Sequence, residues 1–213
     1  MELKEVILFS TALLAIVNPL GSAVLFAAVA GKFKPKIQRQ MANQSALAIL
    51  IILLVCAWLG NSILGLMGLT TPMLQAAGGL ILLNYGLRMV TVEDTKLTAS
   101  EQESAQDVPE EHWKALAVVP LAIPGTVGAG TITTVIIQAS TFANARDLLI
   151  ISAVSIGVAV VMWITFHSAG PIARRLGPIG MNIISRVMGI LVTATAFGLL
   201  GRGIGGLLPG LAK

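Results

Sequence analysis

Long apolar runs separated by short polar segments dominate the chain. A helix needs about 20 predominantly apolar residues to cross the hydrocarbon core of a bilayer, and six runs meet that length. They cover approximately residues 6–30, 41–69, 72–90, 115–139, 148–170 and 181–200. Transmembrane strands would instead give short alternating segments. The pattern therefore predicts an all-α integral membrane protein with six transmembrane helices.

Composition supports this interpretation and excludes two other classes. Of 213 residues, 55% are hydrophobic and 11% are charged, with a mean hydropathy of +0.87. Soluble domains carry about 25% charged residues, because their surface must meet water. A soluble fold is therefore excluded. The single cysteine, Cys56, lies in an apolar run, which excludes a disulfide-linked secreted scaffold.

The acidic residues divide the chain into two parts. Seven of the ten lie in one polar segment, at Glu93, Asp94, Glu101, Glu103, Asp107, Glu110 and Glu111. A segment so poor in large apolar residues is expected to be solvated. We therefore expect residues 91–113 to form an acidic cytoplasmic linker. It joins a first three-helix repeat, residues 1–90, to a second, residues 114–213.

The positive residues predict the orientation in the membrane. Of the 14 lysines and arginines, ten fall in the loops of one side and four on the side that holds both termini. The side richer in positive loop residues is normally cytoplasmic, so the N- and C-termini are predicted to face outward. The net charge of only +4 is explained by anchors flanking the bilayer. We expect a lipid bilayer and no nucleic acid as partner.

The two sets of three helices can be aligned with each other. A shift of 110 residues places Asn18-Pro19-Leu20 on Gly128-Ala129-Gly130 and Gly79 on Gly189. Because three is odd, the second set would enter the membrane from the opposite side. The alignment thus predicts an inverted repeat, an architecture of many secondary transporters.

The first and fourth runs are each interrupted near their centres. The first contains Asn18-Pro19-Leu20-Gly21-Ser22, and the fourth contains Pro120, Pro124-Gly125 and Gly128-Ala129-Gly130. Proline removes a backbone donor and disfavours helical geometry at the preceding residue, while glycine permits unusual dihedral angles. Both helices are therefore predicted to break near the membrane midplane.

Such breaks can form a binding site. The N-terminal ends of half-helices suit a carboxylate, freed carbonyls suit a cation, and neutral polar residues surround both breaks, whereas no span centre contains Asp or Glu. A small zwitterion would fit this chemistry. The candidate substrate-binding residues are Asn18, Pro19, Gly21, Ser22, Gly128, Gly130, Thr131 and Thr134. The alternative is that the breaks are structural kinks and that the glycines serve close helix packing.

Motifs for other chemistry are absent from the sequence. It has no phosphate-binding loop, no metal-ligand spacing and no nucleophile elbow. We therefore expect no enzymatic activity, no cofactor and no resident metal. A coupling ion, sodium or proton, is left open, and His167 is the residue on which a proton relay would depend.

Four segments together resemble the MarC family, whose members are also described as small neutral amino acid transporters. The first is the Asn-Pro-Leu-Gly break at residue 18, and the others are Ala76–Leu82, Val119–Ile132 and Ile184–Gly189. The resemblance implies a six-span secondary transporter of glycine- or alanine-like substrates in the cytoplasmic (inner) membrane of a bacterium or archaeon. Transport would proceed by alternating access.

The resemblance is incomplete at the second break. The family pattern there is usually Gly-Pro-Gly, and this chain has Ala129 in place of the proline. Two alternative functions remain at the level of sequence. One is an exporter of other small molecules or drugs, in line with the family's association with antibiotic resistance. The other is a non-transporting membrane scaffold.

Overall fold

The predicted all-α class is confirmed. A computed structural model describes residues 1–91, 113–123, 125–142, 144–208 and 210, and these ranges contain helices and connections without a strand. The helices are α1 (Leu3–Val17), α2 (Pro19–Ala30), α3 (Pro35–Leu66), α4 (Thr71–Thr91), α5 (Trp113–Leu116), α6 (Ala129–Thr141) and α7 (Ala145–Leu207). A π-helical turn, Ala117–Ala122, extends α5. Most of the predicted acidic linker lies outside the described residues, as does Pro124.

Helix α7 consists of two arms. Its helical geometry is interrupted at Gly177, where φ is 61° and ψ is 178°. Only glycine adopts this combination readily. The two arms, residues 145–176 and 178–207, thus correspond to the predicted fifth and sixth runs.

Four helical segments are long and apolar enough to cross a membrane. They are Leu3–Ala27, Pro35–Leu66, Ala145–Ile172 and Asn182–Leu207, which match the predicted first, second, fifth and sixth runs. Helix α4 has 21 residues, or about 31 Å at 1.5 Å per residue, but Gln75, Asn84 and Arg88 make it more polar. The third and fourth spans therefore stay predictions.

The outer surface of the helices is as apolar as the interior. The core buries side chains such as Leu13, Phe26, Leu53 and Phe166, whereas α3 and α7 expose many leucine, isoleucine and valine side chains. Soluble monomers rarely expose such extended apolar patches. This distribution is typical of helices whose outer faces contact lipid.

Helix α4 and the second arm of α7 run antiparallel at very close distance. A Cβ added to Gly79 would lie 2.8 Å from the Leu200 nitrogen, and one added to Gly203 would lie 2.4 Å from the Ala76 nitrogen. Three residues forward along α4 therefore correspond to three residues backward along the arm. Small residues permit such an approach of two membrane helices, and alanine at either glycine would force the helices apart.

The two ends of the helical bundle each bring distant parts of the chain together. At one end the N-terminal amine of Met1 forms an ion pair with Asp147, in the first turn of α7. At the other end the connection between α2 and α3 lies beside Gly170 and Pro171. This arrangement matches the grouping of loops from which the topology was predicted.

Candidate functional site

The first predicted break is present at Asn18. Its φ of 51° and ψ of 72° lie in the left-handed region, which asparagine tolerates better than most residues. Its N–H donates to the Leu14 oxygen over 3.0 Å and ends α1. Its side-chain oxygen accepts from the Gly21 N–H over 3.1 Å and starts α2. Pro19 is the first residue of α2, the position where proline is favoured.

The polar groups freed by this break are partnered within it. Because the Gly21 N–H bonds to Asn18, the Val17 carbonyl lacks its helical donor, and the Ser22 hydroxyl donates to it over 3.1 Å. A Cβ added to Gly21 would lie 2.4 Å from the Asn18 amide nitrogen. Asn18 and Ser22 are both buried, so the first break is a compact, internally satisfied turn.

The second break is wider. Val119, inside the π-helical turn, and Ile123, at its end, have extended backbone geometry, and α6 does not begin until Ala129. Its N-cap, Gly128, has no side chain to bond the first N–H groups of α6. The first N–H groups of any α-helix lack partners within the helix. The start of α6 therefore offers backbone donors at the positive end of a helix dipole.

Hydroxyl groups connect the two breaks. Thr126 donates to the Leu121 oxygen over 2.8 Å and lies 3.4 Å from the Ser22 hydroxyl. Thr131 is 3.5 Å from the Thr126 carbonyl. All three side chains are buried. The structure thus brings together two breaks that are about 100 residues apart in sequence.

A cavity of about 90 Å³ adjoins the second break. Its walls come from α1, α4 and the segment that leads into α6. The lining residues are Ile16, Ile81, Leu82, Tyr85, Gly125, Thr126, Gly128, Gly130 and Thr131. None of these carries a formal charge. Ile16 and Ile81 lie near the middle of the Leu3–Ala27 segment and of α4, which places the cavity at about half the height of both.

The cavity can hold a small polar solute. The uncapped start of α6 supplies donors for an anionic group, and the hydroxyls of Thr126 and Thr131 supply neutral oxygens. Apolar walls from Ile16 and Leu82 give no site for a charged side chain of a ligand. About 10–15 Å³ suffices for one water, so the volume admits several waters or one small molecule.

The predicted site residues fall into two groups. Gly128, Gly130 and Thr131 line the cavity, and Thr134 lies one turn further on, donating to the Gly130 oxygen over 2.8 Å. The residues of the first break do not line it, namely Asn18, Pro19, Gly21 and Ser22. They shape the first break, whose contact with the cavity runs through Ser22 and Thr126.

The contribution of α4 was missed from the sequence. Ile81, Leu82 and Tyr85 form one wall of the cavity. Tyr85 is the single tyrosine of the chain, and a polar aromatic residue inside an apolar run was a usable signal. Ile81 and Leu82 gave none, because apolar residues in a membrane helix look alike whether they face lipid or a cavity.

Comparison with known proteins gives one consistent family. The profile described as MarC family integral membrane protein matches residues 3–208. A UPF0056 membrane protein of Buchnera aphidicola is 28% identical over 211 residues, covering 99% of this chain and 96% of the relative. The UPF0056 inner membrane protein MarC of Escherichia coli is 32% identical over 202 residues, and that of Shigella flexneri is 31% identical over 199, each covering 90% of both chains. No solved structure matches.

The match covers nearly the whole chain, including both helix breaks and the cavity between them. It also agrees with the apolar outer surface of the helices. The chain belongs to the MarC family of integral membrane proteins.

Proposed function

We propose that this chain is a secondary transporter of small neutral amino acids, glycine and alanine in particular, and not an enzyme. It works by alternating access in the cytoplasmic (inner) membrane, where the names of its E. coli relatives place those proteins. The observation that carries the proposal is the uncharged cavity beside the uncapped start of α6, where the two broken helices meet.

The size and chemistry of the cavity favour this substrate class. An engineered cavity of about 150 Å³ accommodates benzene, and the volume here is about 90 Å³, so the occupant is limited to a molecule of that size or smaller. The donors at the start of α6 suit a carboxylate. The hydroxyls of Thr126 and Thr131 suit an ammonium group. A large drug would not fit without rearrangement.

The positions of the helix starts support an inverted repeat. Helices α1, α2 and α3 begin at Leu3, Pro19 and Pro35, and α5, α6 and α7 begin at residues 113, 129 and 145. Each pair differs by 110 residues, the shift by which the two sets align in sequence. Asn18 and Gly128, which cap the second halves of the two broken helices, differ by the same amount.

The contacts between α4 and the second arm of α7 support a two-fold relation between the repeats. A Cβ on Gly79 would lie 2.8 Å from the Leu200 nitrogen, and one on Gly189 would lie 2.9 Å from Val90 Cγ2. Adding 110 to one member and subtracting it from the other converts the first contact into the second. Because the two helices run antiparallel, the operation that exchanges the repeats also inverts them.

This arrangement supplies the moving parts for alternating access. In transporters built from inverted repeats, one repeat rocks against the other around a site near the midplane. Here the site would lie between the first and second breaks, with six spans, the termini facing outward and the acidic linker in the cytoplasm. Sodium and protons are both candidate coupling ions, and exchange without an ion is a third mode.

Uptake and counterflow of labelled glycine and alanine into proteoliposomes test the proposal. We expect saturable flux in the native protein and its loss in Gly130→Val, because a Cβ at Gly130 would lie 3.0 Å from Leu82 Cδ1 across the cavity. Gly157→Val is the matched control, since no atom lies within 4 Å of a Cβ at Gly157.

Three sets of conditions are compared: a sodium gradient, a proton gradient, and internal unlabelled substrate alone. Absence of flux under all three would contradict transport of these amino acids. Equal flux in Gly130→Val and Gly157→Val would contradict the location of the site.

A further inference from the structure

A second and larger pocket, about 320 Å³, lies at the end of the bundle where α2 meets α3. It is separate from the cavity beside α6, with which it shares no residue. Its floor is a stacked pair of buried rings, Phe26 and Phe166, whose centroids are 4.9 Å apart. Its rim carries Gln38, Arg39 and His167. The pocket is therefore apolar at depth and polar at its mouth.

The rim is positively charged and contains no acidic side chain among the described lining residues. Arg39 is exposed and forms no ion pair or hydrogen bond within the described part of the chain. His167 is held in place, because its Nδ1 donates to the Trp163 oxygen over 2.9 Å and its ring packs on Trp163. Lys32 and Lys36 flank the mouth in sequence. An anionic group would thus find an unopposed guanidinium.

The pocket lies at the depth of a lipid headgroup. Helix α3 has 32 residues, about 48 Å, so it exceeds the roughly 30 Å hydrocarbon core by several turns. Pro35, Gln38 and Arg39 are in its N-terminal turns, which precede the strongly apolar part of the helix. On the side that the positive loop residues mark as cytoplasmic, basic pockets between helices bind lipid headgroups.

We infer that this pocket binds a phosphate group that carries net negative charge, as in the headgroup of an anionic phospholipid. Arg39 forms a bidentate contact with the phosphate oxygens, a geometry that guanidinium favours, and Gln38 and His167 border the group. The ring pair of Phe26 and Phe166 receives the apolar part of the lipid. The inference does not depend on which substrate the protein transports.

The thermal unfolding midpoint of the purified protein in neutral detergent tests this inference. Dioctanoyl phosphatidylglycerol, dioctanoyl phosphatidylcholine and inorganic phosphate are titrated at constant ionic strength. We expect phosphatidylglycerol to raise the midpoint and phosphatidylcholine to do so far less. A comparable rise with inorganic phosphate would show that the site accepts the free ion, and no rise would assign the site to lipid; either result supports a phosphate site.

Two variants and one matched control locate the binding. In Arg39→Gln the concentration for half-maximal stabilisation should rise about tenfold, as expected for a lost charge-assisted hydrogen bond. Ala27→Leu should weaken binding by filling the pocket while keeping its charge. Lys36→Gln removes a positive charge from the same helix end outside the pocket lining and should change little. The midpoint of each variant without ligand shows whether it folds.

Three results would overturn the inference. The first is the absence of stabilisation by both phosphatidylglycerol and phosphate. The second is an equal loss in Arg39→Gln and Lys36→Gln, which would indicate general surface charge. The third is stabilisation by glycine or alanine that Arg39→Gln abolishes, because the pocket would then serve substrate entry.

Discussion

The break at Asn18 allows a sharp test of how the first helix is interrupted. Three features coincide there: a left-handed backbone at a non-glycine residue, a side-chain cap on α2, and a glycine three residues on whose Cβ position is 2.4 Å from the capping amide. If this geometry is correct, substitutions at Asn18 and Gly21 must be strongly coupled, because each position sets the space and backbone freedom of the other.

The magnitudes follow from the separate terms. Asn18→Leu loses a cap worth about 1 kcal/mol and holds a bulky residue in left-handed geometry at about 1–2 kcal/mol, so we expect a loss of about 2–3 kcal/mol. Asn18→Gly costs only a few tenths, since glycine is a fair cap and adopts this backbone freely.

Gly21→Ala is expected to change sign with its background. In the native chain the new methyl group displaces the Asn18 side chain and costs about 1 kcal/mol through the lost cap. In Asn18→Gly nothing remains to clash, and alanine is a better helix former than glycine by about 0.8–1 kcal/mol. The double variant should therefore be more stable than Asn18→Gly alone. The coupling of about 2 kcal/mol is within the range for contacting residues.

Reversible unfolding of the four proteins in mixed detergent micelles, followed by circular dichroism, measures these free energies. The native protein, both single variants and the double variant complete a thermodynamic cycle. Additive effects within about 0.5 kcal/mol would refute the capping geometry. An equal cost for Asn18→Leu and Asn18→Gly would show that the left-handed backbone does not limit this position.

Four further predictions concern other parts of the fold. Gly177→Ala should lower the free energy of unfolding by about 1–3 kcal/mol, because a side chain is strained at its φ of 61° and ψ of 178°; a loss no larger than that of Gly198→Ala, which has open space around its Cβ position, would contradict the break. Thr193 has a buried hydroxyl without a partner among the described residues, so Thr193→Val should leave stability unchanged or raise it by up to about 1 kcal/mol in the same unfolding assay. Ala129→Pro should fold and lose no more than a few tenths of a kcal/mol, since the first position of a helix accepts proline; failure to fold would show that the start of α6 is placed differently. Buried Cys56 should react with a maleimide only after unfolding, and rapid labelling of the native protein would contradict its packing against the core.

Local chemistry made the helix breaks predictable. Proline and glycine act on their own backbone and that of the preceding residue, so Asn18-Pro19 and Gly128-Ala129 indicated where two helices end and restart. Apolar run lengths likewise indicated the helices that became α3 and the two arms of α7. Both signals depend on neighbours in sequence, which is why they survived without knowledge of the packing.

The composition of the cavity depended on features that are not local. Asn18 was expected to contact substrate, but its side chain caps α2, and Ile81 and Tyr85 line the cavity instead. Which face of α4 points inward depends on how α4 rotates against α7. That rotation is set by glycines on both helices, such as Gly79 and Gly203, whose partners lie more than 100 residues away.

The sequence by itself determined the all-α membrane class, the positions of both breaks and the 110-residue spacing between related segments. Only the tertiary structure decided which break borders a cavity and which is filled by its own side chains. The physical reason is the difference in capping. An asparagine side chain closes the start of α2 from within, whereas Gly128 has none to offer, and the start of α6 is left open toward the space between the repeats.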